Sequence, residues 1–116
     1  MGTNEPPTVA DSADGDAAVD LSILRAQTGG DPNLEREVLG LFLTRASGEL
    51  ARLKAAATAD DRRRIAHGLV GAAAAVGAVK VARLAASVER GNIVAMPALE
   101  AAIAEATRQI TRHLAE

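Results

Sequence analysis

The sequence predicts an all-α protein: an antiparallel four-helix bundle with a short N-terminal helix packed across one end. Three observations predict it. Apolar residues recur at three-to-four spacing in four separate stretches. Each stretch is bounded by helix start and stop signals. The chain is rich in alanine and only 1% aromatic, with Phe42 its single ring hydrocarbon. A core made of Leu, Ile, Val and Ala suits closely packed helices, whereas sheets favour β-branched and aromatic residues. No strand signal or internal repeat is read.

Residues 1–18 read as a disordered acidic leader, because Pro6-Pro7, small residues and Glu5, Asp11, Asp14 and Asp16 leave little to bury. The bundle is expected over 19–116. Leu21, Ile23 and Leu24 make a short apolar turn that stops at Gly29-Gly30. Asp31-Pro32 then opens a helix, with Asp as N-cap and Pro at the first helical position. Its stripe is Leu34, Val38, Leu41 or Phe42, Leu50 and Leu53, and it is expected near 32–57. Asp60 or Asp61 is expected to cap the next helix, near 61–76, with Ile65, Leu69, Ala72, Ala73 and Val76 inward and Gly77 at its end. Val81, Leu84 and Val88 mark a helix near 79–90 that stops at Gly91. Pro97 opens the last, near 97–114, on Leu99, Ile103, Ala106, Ile110 and Leu114.

Composition excludes several classes of function. At 116 residues there is room for one domain. A net charge of −2 and the lack of aromatics argue against a nucleic-acid binder, leaving Arg62-Arg63-Arg64 without a supporting field. Without cysteine, disulfides and thiolate metal sites are impossible, and two distant histidines make no metal site. No apolar run is long enough for a membrane span, and no secretory signal is read. Met1-Gly2 does not start a myristoylation motif, because Pro6 stands where Ser or Thr is needed. A cytoplasmic protein is expected.

The chemistry concentrates in Arg62 to Ala78, RRRIAHGLVGAAAAVGA. On a helical wheel His67 lies about 160° from both Ile65 and Leu69, away from the core. Gly68 and Gly71 sit inside this helix, each costing about 1 kcal/mol relative to Ala. Helical side chains lean toward the N-terminus, so a side chain at position 71 would cover the imidazole, and Gly71 leaves the ring bare. A bare ring suits a nucleophile that must meet phosphorus in line. Arg63 and Arg64, within about 60° of His67, supply positive charge but lean away from the ring. The wheel leaves Val70 on the exposed face. His113 has no motif around it and reads as a favourable charge at a helix C-terminus.

Ala66-His67-Gly68-Leu69-Val70-Gly71, then Gly77-Ala78 and Glu89 at the end of the next helix, resembles the histidine phosphotransfer (HPt) family. The family signature is A-H-x-L-K-G-(S/A)-(S/A)-x-x-x-G-A, followed by a helix closing in L-E. The resemblance spans about residues 19–114. It implies a small stand-alone phosphorelay carrier with His67 as phosphoacceptor and Gly71, Arg63 and Arg64 as phosphate environment. Gly68, Val70, Gly71 and Ala74 are the implied receiver-docking residues. The implied partners are response-regulator receiver domains and a hybrid histidine kinase. The receiver supplies magnesium, so the carrier needs no cofactor and is not an enzyme; a monomer is expected. One departure stands out: the family has lysine three residues after the histidine, and this chain has Val70. The alternative reading is therefore an HPt-like adaptor that binds a receiver but is phosphorylated poorly.

Overall fold

The computed structural model describes residues 18–116 and contains only helices and turns among them. The helices are α1 (Leu21–Thr28), α2 (Pro32–Ala55), α3 (Ala59–Val76), α4 (Val79–Glu89) and α5 (Met96–Ala115), with a 3₁₀ turn at Ile93–Ala95 before α5. The long helices pack in a closed ring: α2 on α3, α3 on α4, α4 on α5, and α5 back on α2. The turns between them are short, so chain neighbours run antiparallel. Helix α1 lies across one end, against α2 and α3. The predicted bundle is the observed one. The leader predicted for 1–18 lies outside the described residues except for Ala18, which is buried.

Local chemistry sets the helix ends. Asp20 caps α1 through a bond from the Ser22 amide at 3.0 Å. Asp31 caps α2, accepting from the Asn33 and Leu34 amides, with Pro32 at the start of the helix. The cap of α3 corrects the sequence reading: Thr58, not Asp60 or Asp61, accepts from the Asp61 amide at 3.0 Å. Both aspartates instead lie in the first turn, where a carboxylate favours the positive end of the helix dipole. Gly77 closes α3 at φ 79, and a Cβ there would sit 2.4 Å from the Asp20 carbonyl oxygen. Only glycine permits that close approach, which the Asp20 amide seals by donating to the Gly77 carbonyl at 2.7 Å.

Alanine does much of the core packing. Ala46, Ala66, Ala73, Ala85 and Ala106 let the helices approach, while Leu24, Leu39, Leu69, Leu99 and Ile110 fill the remaining volume. One stripe position differs from the sequence reading: Leu34, in the first turn of α2, is exposed. Of Leu41 and Phe42, between which the spacing does not choose, Phe42 is inward and Leu41 is 64% exposed, and Ile65 is half-buried against the core. On α3 the buried line is Ala66, Leu69, Ala73 and Val76. Alanine gives little hydrophobic signal on a wheel, so its burial shows only once neighbouring helices are in place.

Two buried acids are unexpected. Glu35 is 7% and Glu49 is 6% exposed. Buried carboxylates persist only when paired. Glu35 faces His113 at 3.5 Å and Arg25 at 3.9 Å. His113 is thus a partner of a buried acid from α2, not merely a charge at the end of α5.

Candidate functional site

Helix α3 presents His67 to solvent, with its side chain 76% exposed. The ring is held from one side. Glu89, the last residue of α4, places Oε2 at 2.7 Å from His67 Nδ1. An ionised carboxylate only accepts hydrogen bonds, so Nδ1 carries the proton and donates it. The neutral ring then keeps its lone pair on Nε2, the nitrogen away from Glu89. The geometry therefore orients the imidazole, selects its tautomer and leaves one nitrogen open as a nucleophile.

A shallow depression surrounds the ring, lined by Asp60, Arg63, Arg64, His67 and Glu89. It brings the two sequence-predicted arginines to the histidine despite their lean. Each is engaged with an acid of the first turn: Arg63 with Asp60 at 2.5 Å, and Arg64 with Asp61 at 3.4 Å. Gly71 is exposed, and a Cβ there would meet nothing beyond its own helix within 4 Å. Ala74, about 20° from His67 on the wheel, is exposed on the same face.

One of the proposed docking residues sits differently from the wheel reading. Val70 is not open: it is half-buried and packs against the core. It lies on the flank of α3 that holds Ala66 and Ala73, both buried, so a neighbouring helix covers part of it. Gly68 is half-buried on the opposite flank, where Arg45 and Glu49 of α2 lie over it. The residue that sequence reasoning left without a role is Glu89. It belonged to the motif, but its contact with His67 spans 22 positions and two helices.

The sequence model of the Hpt domain matches residues 37–114, most of the bundle including all of α3 and α4. This chain belongs to the Hpt domain family. No curated protein and no solved structure matches it. As an Hpt domain it has a histidine phosphotransfer role in phosphorelay and is a phosphocarrier rather than a catalytic domain. Hpt domains interact with the receiver domains of response regulators and with kinases. Among the described residues no helix is long and apolar enough to cross a membrane.

Proposed function

We propose that His67 is the phosphorylated residue and that the chain both accepts and donates the phosphoryl group in a multistep phosphorelay. The observation that carries this reading is the exposed imidazole with Nδ1 held by Glu89 and Nε2 open. Nε2 attacks the phosphorus of an aspartyl phosphate on a receiver domain. The N–P bond forms as the P–O bond breaks, and the electron pair leaves on the receiver's aspartate. The ring becomes cationic while Nδ1 keeps its proton, and Glu89 faces that charge. The receiver contributes magnesium. Gly71 keeps the approach clear, and Arg63 and Arg64 flank it. Gly71 and Ala74 form the open part of the docking face, with Gly68 and Val70 at its margins. A hybrid histidine kinase is the upstream source, and the carrier works as a cytoplasmic monomer.

Val70 supports a second reading, an adaptor that binds receivers and is phosphorylated poorly, because no ammonium stands at that position. One experiment separates the two. A phosphorylated receiver with magnesium is mixed with the carrier, and acid-labile phosphate is followed. Rapid labelling that His67→Gln abolishes while the melting profile stays intact supports the carrier. Tight receiver binding with negligible label supports the adaptor. Acid-stable label, or label persisting in His67→Gln, removes the assignment.

A further inference from the structure

The depression at His67 is short of positive charge. Arg63 and Arg64 line it, but so do Asp60 and Glu89. Asp60 and Asp61 meet the two arginines one for one. An incoming phosphoryl group brings roughly 1.5 to 2 negative charges at neutral pH, and position 70 offers it a valine.

A cation on the neighbouring helix is not neutralised in this way. Arg45 of α2 lies 3.4 Å from Glu49, whose other carboxylate oxygen faces Arg52 at 3.5 Å. Two guanidiniums against one carboxylate leave one positive charge over. The Glu49 side chain is only 8% exposed, and its Oε1 has no hydrogen-bond partner among the described residues. A buried carboxylate with unmet lone pairs anchors nearby cations. The group abuts α3 at Gly68, the residue after the histidine: a Cβ built there would lie 3.1 Å from Arg45 Nη2 and 3.6 Å from Glu49 Oε2. The guanidinium therefore rests against the backbone of α3, one residue from His67. A Cβ at position 68 would crowd the guanidinium by a few tenths of an ångström, so glycine allows Arg45 its closest approach to α3. Gly71, which has open space beside it, has no such neighbour.

We propose that Arg45 is the phosphoryl-binding cation of this carrier, reaching from α2 to supply the charge that position 70 lacks. Its side chain is 53% exposed, with Nε directed at Glu49 and Nη2 lying toward α3. The planar guanidinium presents paired N–H donors, a good match for two phosphoryl oxygens. Arg45 donates hydrogen bonds and gives up no proton during transfer; the N–P and P–O bonds exchange as described above. Glu49 is the positioning residue, holding Arg45 where its Nη2 lies beside Gly68. The proposal rests on His67 being the acceptor.

The test uses the full chain with a phosphorylated receiver at saturating concentration, followed by rapid quench. Arg45→Ala is expected to slow transfer about tenfold, and Arg45→Lys to recover most of the loss. Phosphorus NMR of the phosphohistidine gives an independent readout. Removing a contacting cation should move the ionisation of the phosphoryl group to higher pH in Arg45→Ala. His67→Gln, run alongside, separates the two ideas. If it retains label, the acceptor assignment fails. If it loses all label but Arg45→Ala transfers at the wild-type rate, the Arg45 inference alone fails. A slower rate with an unchanged phosphorus titration also overturns it, since Arg45 would then act only on the receiver.

Discussion

Replacing Glu89 tests the mechanism at its most constrained contact. His67 Nδ1 and Glu89 Oε2 are 2.7 Å apart, with the imidazole side chain 76% and the carboxylate side chain 30% exposed. When Nε2 takes the phosphoryl group, the ring turns cationic and this bond becomes an ion pair. A hydrogen bond to a charged group contributes about 1.5–3 kcal/mol. Solvent at an open site screens that toward about 1–2 kcal/mol. Glu89→Ala forfeits the whole contribution, so transfer from a saturating phospho-receiver should slow by about 5- to 30-fold. Glu89→Gln keeps a neutral bond through its carbonyl oxygen, so its loss should be smaller, about fivefold for about 1 kcal/mol. Rapid-quench kinetics measure both, and circular dichroism melts check that the bundle persists. Wild-type rates in both variants would refute the reasoning, because the ring would then need neither the orientation nor the charge that Glu89 provides.

Two further outcomes are expected. Val70→Lys adds a cation on the flank opposite Arg45 and should raise the transfer rate at saturating receiver several-fold, at a cost of about 1 kcal/mol for the half-buried valine, read from urea melts; an unchanged rate would place the needed charge entirely elsewhere. The Ser22 hydroxyl, followed by its amide, holds the Asp20 carboxyl below its ordinary value of 3.8, so the stability it contributes is full above that value and is lost as the pH falls through the lower folded-state value. The melting-temperature gap between the wild type and Asp20→Asn should therefore shrink in acid, and a gap independent of pH would contradict this.

The grouping of Arg45, Glu49 and Arg52 is legible in the local spacing. Arg45, Glu49 and Arg52 stand at i, i+4 and i, i+3, a spacing that puts them on one helix face. What no spacing reveals is that this face meets α3 at Gly68. The same limit explains Val70. A wheel centred on Ile65 and Leu69 overlooks Ala66, and once Ala66 and Ala73 are buried the covered arc of α3 reaches the flank on which Val70 stands. Thr58, Asp60 and Asp61 are all capping residue types, and the choice of Thr58 depends on where the chain enters the helix.

The amino-acid sequence by itself determined the number and order of the helices, most of their ends, and the outward direction of His67. These are local properties: caps act within a turn of the chain, and about 100° per residue carries a side chain's bearing along one helix. Only the tertiary structure decided what meets His67 from outside its own helix. Glu89 reaches its Nδ1 from α4, and Arg45 is laid beside its neighbour Gly68 from α2. Those placements depend on how deeply alanine faces let the helices approach and on which flank each turns to its neighbour. Both are settled by packing the whole bundle at once, across separations that local periodicity does not reach.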